Sequence, residues 1–97
     1  MKTVFEWDPV KANSNISKHG VSFELATLVF ADPNAIVEQD RIEDGEIRWK
    51  IIGLVGGLTL FFVAHTVREQ DGTEVIRIIS ARRADRKERR RYEEENS

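Results

Sequence analysis

Three alternating, largely apolar segments separated by glycine turns constrain the fold more than any other feature of this sequence. The segments cover residues 46–54, 58–68 and 73–81, with Gly56-Gly57 and Asp71-Gly72 between them. Two-residue turns of this composition join antiparallel strands, because both of their positions favour a positive φ. The pattern therefore predicts three long antiparallel strands, and residues 35–38 add a short fourth one.

Three helices complete the predicted fold. Residues 9–18 and 23–30 read as short helices, and residues 84–95 contain neither glycine nor proline. The end signals are Asp8-Pro9 and Gly20 for the first helix, and Ser22 and Asp32-Pro33 for the second. We expect a single α+β domain over residues 1–97, with an antiparallel sheet of about four strands. Its two N-terminal helices and its C-terminal helix are expected on one side of the sheet.

Length and composition restrict the classes of protein to which the chain can belong. Its 97 residues suit one compact domain, and 40% hydrophobic with 33% charged residues is typical of globular chains. A membrane-spanning helix needs about 20 consecutive apolar residues, and the sequence contains no such run. The absence of cysteine excludes a disulfide scaffold and a thiol nucleophile, and two histidines 46 positions apart argue against a metal site. We therefore expect a cytoplasmic protein with no metal, cofactor or membrane contact.

The charge is distributed unevenly along the chain. Residues 1–80 contain 8 Lys and Arg against 12 Asp and Glu, whereas residues 81–92 contain seven Lys and Arg against two acidic residues. A local excess of this kind is typical of a chain that meets a polyanion with one surface. A solvated helix with ion pairs between successive turns explains the same pattern, so charge alone leaves both interpretations open.

Side chains suited to phosphodiester cleavage are spread over the predicted strands and helices. Metal-free cleavage of RNA needs a base for the 2′-hydroxyl proton, cations for the pentavalent phosphate and an acid for the leaving 5′ oxygen. Arginine suits the phosphate, because its planar guanidinium donates two hydrogen bonds and stays charged. The candidates are Lys18, His19, Glu46, Arg48, His65, Arg68, Arg77, Arg82 and Tyr92.

Several of these candidates also have structural explanations. His65 lies between apolar residues, where a histidine is more often a hydrogen-bonded part of the core. Arg48 and Arg77 suit cross-strand pairs with acidic neighbours, and Glu46 suits the exposed start of a strand. Tyr92 suits a contact that fixes the last helix to the sheet.

The alternation along each strand assigns the candidates to faces of the sheet. Side chains two positions apart share a face, so Arg68 lies with Thr66 and opposite His65. On the last strand the same rule places Arg82 with Ile78, and Arg77 on the other face. Adjacent antiparallel strands end at opposite edges of the sheet, so this pattern does not make Arg68 and Arg82 neighbours.

Four segments of the chain together resemble one known family. They are FEWDPVKANSNISKHGVSFELATLVFADP at 5–33, GEIRWKIIG at 45–53, VAHTVRE at 63–69 and IRIISARRADRKERRRYE at 76–93. In this order they are similar to the BrnT family of type II toxin–antitoxin toxins, over nearly the whole chain. The resemblance implies a RelE-like ribonuclease fold and an RNA-cleaving toxin that inhibits translation and growth. It also implies a cognate BrnA-like antitoxin, bound in a hetero-oligomer that meets operator DNA only through the antitoxin.

The resemblance ranks the candidate site residues. It implies that Arg68 and Arg82 contact the phosphate and the transition state. The supporting candidates are Lys18, His19, Glu46 and Arg48, and the proton-transfer candidates are His65 and Tyr92. The resemblance does not identify the base or the acid. Four further arginines are expected to bind RNA along the last helix: Arg83, Arg86, Arg89 and Arg90.

Two functional hypotheses follow from these observations. The first is a metal-independent endoribonuclease toxin. The second is a noncatalytic module that binds RNA or a protein through its basic C-terminal helix. Replacing Arg68 or Arg82 with alanine abolishes the first function and spares the second.

Overall fold

The computed structural model describes residues 1–97 and contains one five-stranded mixed sheet. Its strands are β1 (Lys2–Glu6), β2 (Ile36–Glu43), β3 (Glu46–Val55), β4 (Thr59–Gln70) and β5 (Thr73–Arg83). The spatial order is β1-β5-β4-β3-β2, with β1 parallel to β5 and the other pairs antiparallel. The prediction of about four antiparallel strands was therefore wrong in strand number and in one pairing. The helices between β1 and the later strands give the chain the length that a parallel return needs.

The strand connections differ in one place from the expected hairpins. The Asp71-Gly72 turn has the predicted two residues, with φ of 51° and 78°. The β3–β4 connection has three residues, because Leu58 follows Gly56 and Gly57 and donates its N–H to the carbonyl of Val55 at 3.3 Å. β4 consequently begins one residue later than predicted. β2 extends to Glu43, since its polar residues pair with β3 despite their low strand propensity.

The first two helices begin at the predicted residues, the third begins two residues later than predicted, and one segment differs in type. They are α1 (Pro9–His19), α2 (Phe23–Thr27) and α3 (Arg86–Glu95), and a 3₁₀ turn over Leu28–Ala31 replaces the end of the predicted second helix. The Asp8 carboxylate accepts the Val10 N–H at 2.8 Å, and Gly20 closes α1 with φ of 70°. None of the three helices is long and apolar enough to cross a membrane.

The helices lie on both faces of the sheet, so the expectation of one side was wrong. Odd-numbered side chains of β4, such as Phe61 and Val63, pack with α1 and α2 in the larger core cluster. Even-numbered side chains, such as Phe62, pack with Tyr92 of α3 in a smaller cluster. α3 covers only one end of this second face. We call the α1 and α2 side the helix face, and the part of the other side that α3 leaves uncovered the open face.

Asn15 of α1 completes the edge of β5 where β1 no longer reaches. The last residue of β1, Glu6, pairs with Arg77, so β5 continues for several residues without a strand on that side. The Asn15 amide accepts the Ala81 N–H at 3.1 Å and donates to the Ala81 carbonyl at 2.8 Å. It also donates to the carbonyl of Val21 at 2.9 Å. One buried side chain therefore replaces a strand at this position.

Candidate active site on the open sheet face

A bulge in β5 decides which arginines reach the open face. Ala64 pairs with Ser80 and His65 pairs with Ile78, so Ile79 is the extra residue. A bulge of one residue reverses the alternation beyond it. Arg82 therefore lies on the open face while Ile78 lies in the helix-face core, which corrects the predicted sharing of a face. Arg77 precedes the bulge and lies on the open face as well.

The side chains of the open face are mostly charged. Its cations are Arg41, Arg48, Lys50, Arg68, Arg77, Arg82 and Arg91, and its carboxylates are Glu6, Glu38, Glu43, Glu46 and Glu88. All seven cations are held in salt bridges with these carboxylates. The face is therefore an ordered array with more positive than negative groups.

Arginines converge at one end of this array, which we call the Arg68 cluster (Glu6, Glu46, Arg48, Thr66, Arg68 and Arg77). The Arg68 guanidinium donates to both oxygens of Glu6, at 2.8 and 3.1 Å, and Arg77 lies 3.6 Å from the same carboxylate. These cations lower the pKa of Glu6, the hydrogen bond from Arg68 most strongly. Arg77 pairs with Thr66 in the β4–β5 register. Continuation of the β3–β4 register places Arg48 on the other side of Thr66, and its guanidinium pairs with Glu43 at 3.1 Å.

Glu46 is the unpaired carboxylate of the Arg68 cluster. Continuation of the β3–β4 register places it opposite Arg68. The hydrogen bond to Glu6 raises the pKa of Arg68 most strongly, and the negative charge of Glu46 acts in the same direction. It is exposed and belongs to none of the salt bridges of the chain. Glu46 can therefore accept a proton without first losing an ion pair, whereas Glu6 cannot.

Arg82 occupies the other end of the open face, beside α3. Its guanidinium lies 4.1 Å from the centre of the Phe62 ring and donates to both oxygens of Glu88, at 2.8 and 3.0 Å. The hydrogen bonds that Arg82 donates to Glu88 raise the pKa of Arg82. Glu88 also accepts the Asp85 N–H in the capping box of α3. This carboxylate is fully engaged and holds Arg82 in place.

The structure does not bring Arg68 and Arg82 to one point. Arg68 pairs with Val75, and Arg82 pairs with Phe62 six residues further back along β4. Six strand residues correspond to about 20 Å. The ion pairs with Glu6 and Glu88 direct the two guanidinium groups to different neighbours, so the two arginines define two subsites.

The two proton-transfer candidates, His65 and Tyr92, lie away from the open face. His65 is 2% exposed on the helix face, with its ring edge-on to Phe30 at 4.9 Å and its Nδ1 3.3 Å from the Val63 carbonyl. Burial lowers its pKa. Tyr92 is buried under α3 and donates its hydroxyl to Asp32 at 2.7 Å. Burial and this hydrogen bond raise the pKa of Tyr92 to about 12. Both positions favour structural roles.

Lys18 and His19 lie at the C-terminal end of α1, where both are exposed as expected for this corner. They line a cavity of about 160 Å³ beside Ile79 and Ser80, at the unpaired edge of β5. Because α1 packs on the helix face, the structure does not place these side chains in the Arg68 cluster.

The four arginines expected to bind RNA are exposed and belong to no salt bridge: Arg83, Arg86, Arg89 and Arg90. Only the last three lie on α3, because Arg83 is the final residue of β5. Sequence reasoning missed two cations that lie closer to the open face. Lys50 follows the same alternation as Arg48, which could have identified it. Lys87 lies beside it, across a cavity, because α3 packs on this side of the sheet. No group of three histidine or acidic side chains is arranged to hold a metal ion.

Fold and surface together define a small α+β domain with an arginine-rich sheet face suited to a phosphate-containing polymer. The family model described as "Ribonuclease toxin, BrnT, of type II toxin-antitoxin system" matches residues 7–88, and the chain belongs to this family. The structure is similar to the crystal structure of the Brucella abortus ribonuclease toxin BrnT, with a TM-score of 0.64 and 26% sequence identity. The similarity covers 89% of this chain and 100% of that one. No protein of curated function matches the sequence. The predicted family is therefore confirmed.

Proposed function

We propose that the chain is an endoribonuclease toxin that cleaves RNA at the Arg68 cluster without a metal ion. The observation that supports this most directly is the unpaired Glu46 carboxylate beside Arg68, on the face where Arg48 and Arg77 flank Thr66. A base next to several fixed guanidinium groups is the arrangement that attack by a 2′-hydroxyl requires. Membership of a ribonuclease toxin family supports the same reaction.

Each group of the cluster has a role in the proposed reaction. Glu46 accepts the proton of the 2′-hydroxyl, whose oxygen attacks the adjacent phosphorus. Arg68 and Arg77 donate hydrogen bonds to the pentavalent phosphate and stabilise its charge. The bond from phosphorus to the 5′ oxygen then breaks, and that oxygen takes a proton from solvent. The products carry a 2′,3′-cyclic phosphate and a 5′-hydroxyl.

The carboxylate of Glu6 is an internal competitor for the phosphate. It occupies the Arg68 guanidinium with the bidentate geometry that a phosphate would use. A bound RNA strand must displace Glu6 from Arg68. The displaced carboxylate still has a cation beside it, because Arg77 lies 3.6 Å from Glu6. The cluster is thereby held in order before substrate arrives.

We further propose a protein antitoxin as the neutralising partner, as type II systems imply. An antitoxin that covers the open face blocks RNA from the Arg68 cluster, and acidic side chains on it would pair with these arginines. The proposed complex is a cytoplasmic hetero-oligomer in which the antitoxin supplies any contact with operator DNA.

The test of cleavage uses purified protein and a labelled single-stranded RNA in the presence of EDTA. We expect wild type to cut and to leave 2′,3′-cyclic phosphate ends, and Arg68→Ala to lose about 10² to 10³ in kcat. Glu46→Gln, which removes the proposed base, should lose about 10² to 10⁴ in kcat, while Glu69→Gln, at an exposed carboxylate on the opposite face, behaves as wild type. Thermal melting establishes that each variant is folded. Cleavage that requires a divalent ion, or a folded Arg68→Ala with full activity, would contradict the proposal.

The exposed arginines of α3 favour the second candidate function, a noncatalytic binding module. In cells this second function predicts the opposite pattern of variant effects from the nuclease. Reversing the charges of Arg86, Arg89 and Arg90 would abolish growth arrest, while folded Arg68→Ala and Arg82→Ala would arrest growth and leave total RNA intact. Induced expression of these variants, with RNA from the same cultures, separates the two functions.

A further inference from the structure

A cavity lined only by charged side chains lies between α3 and the sheet, at the end of the open face away from Arg68. Its volume is about 190 Å³, and its lining residues are Lys50, Asp85, Lys87, Glu88 and Arg91. We call it the α3 cavity. It is separate from the Arg68 cluster, and Arg82 lies at its border through the ion pair with Glu88.

The carboxylates of the α3 cavity are already bound by groups of the protein. Asp85 accepts the Glu88 N–H at 2.8 Å, and Glu88 accepts from Arg82 and from the Asp85 N–H. Both belong to the capping box that starts α3, so their charge is partly compensated. The three cations that line the cavity outnumber these two acids. The cavity therefore favours an anion.

The cations of the α3 cavity have hydrogen-bond donors left for a ligand. Lys87 is exposed and forms no salt bridge. Lys50 and Arg91 share the carboxylate of Glu38, with the Lys50 Nζ at 3.2 Å, and the Arg91 Nε also lies 3.7 Å from Glu95. Lysine carries three N–H donors and arginine five, so these two carboxylates do not occupy them all. An incoming phosphate oxygen has partners without any ion pair being broken.

The α3 cavity is too far from the Arg68 cluster for one phosphate group to contact both. Lys50 pairs with Ala64, four residues from Arg68 along β4, and Arg82 pairs two residues further on. These separations are about 13 to 20 Å, or about four to six nucleotides of a stacked strand. Ala64 and Thr66 of β4 lie between the two places, and both are buried, so an RNA backbone would follow the charged side chains around them.

We propose that the α3 cavity is a second phosphate-binding subsite, which holds a single-stranded RNA several nucleotides from the bond that is cut. The strand lies along β4 from the Arg68 cluster to Lys87. This inference rests on the proposed function for the reaction itself. It adds that the enzyme needs a substrate of minimum length, and that Lys87 binds RNA without touching the reacting atoms.

The experiment compares the cleavage of single-stranded RNAs of increasing length by wild type, Lys87→Gln and Lys11→Gln. Lys11 provides the matched control, since the substitution is the same but lies on α1, on the helix face. For wild type, kcat/KM should rise with length until about six nucleotides and then level off. Lys87→Gln should lose about three- to tenfold in kcat/KM on long RNA, through KM, and nothing on the shortest substrates. Its salt dependence of log KM should be lower by about 1.

A binding measurement keeps this proposal separate from the proposed reaction. Fluorescence anisotropy in the Arg68→Ala background measures affinity for the longest RNA without cleavage. A weaker affinity after Lys87→Gln but not after Lys11→Gln supports the subsite, even if wild type cleaves nothing and the proposed function fails. Equal effects of the two substitutions, no effect of Lys87→Gln, or a kcat/KM that does not change with length in an active wild type would overturn the subsite.

Discussion

The two faces of the sheet are built from the same strands but have opposite properties. On the helix face, the central parts of β4 and β5 carry buried apolar side chains such as Val63 and Ile78, and His65 is buried beside them. On the open face the same strands carry Arg68, Arg77 and Arg82, which pair with carboxylates of β1 and α3 and keep contact with solvent. Because successive side chains of a strand point to opposite faces, the same strand can stabilise the core on one face and bind anions on the other.

This difference teaches where substitutions should affect function without affecting folding. Charged pairs that keep contact with solvent contribute little to stability, usually up to about 1 kcal/mol each. The helix face is therefore expected to determine the free energy of unfolding, and the open face to determine activity. The predictions below would break or sharpen this division.

The largest expected effect on stability comes from Asn15, which belongs to the helix face. Asn15→Ala leaves the N–H and carbonyl of Ala81 buried without partners, and we expect a loss of about 2 to 4 kcal/mol. Urea unfolding measures this loss, and Ser14→Ala, an exposed neighbour, should change it by less than about 0.5 kcal/mol. A urea unfolding curve equal to that of wild type would mean that another group forms hydrogen bonds with the N–H and carbonyl of Ala81.

The fold was predictable wherever a local signal determined it. Asp8 caps the beginning of α1 and Gly20 caps its end, and Asp71 and Gly72 form their turn with positive φ. These features depend on adjacent residues alone. The pairing of β1 with β5 and the position of α3 depend on contacts between distant residues. No local sequence pattern specifies this pairing or this position, and none indicates the bulge at Ile79.

The candidate site was predictable as a set of residues but not as an arrangement. The alternation correctly placed Arg68 with Thr66 and opposite His65. It failed for Arg82, because one extra residue in β5 reversed the alternation beyond it. It also could not show that Arg77 shares Glu6 with Arg68, since β1 supplies that carboxylate from the other end of the chain.

His65 provides the next test, because a role in proton transfer would break the division between faces. Burial lowers its pKa below the ordinary 6.5, so the unfolded chain binds a proton that the folded chain does not. Stability from this group is therefore lost as the pH falls below about 6.5. His65→Phe should weaken the pH dependence of unfolding between about pH 7 and 5, with unfolding at pH 7 changed by about 1 kcal/mol or less. The pH profile of kcat should not move, and a shift in it would assign His65 to catalysis.

The last test concerns Glu38, which fixes α3 to the open face through Arg91 and Lys50. The hydrogen bonds from Arg91 lower the pKa of Glu38 from 4.5 to about 2. The stabilisation is therefore complete above about pH 4.5 and is lost as the pH falls towards 2. Glu38→Gln should cost about 1 kcal/mol at pH 7, since both partners keep contact with solvent, and the difference from wild type should vanish near pH 2 in urea unfolding. A difference that stayed constant across this range would show that the glutamine alters packing under α3, and the open face would then contribute to the core as well as to binding.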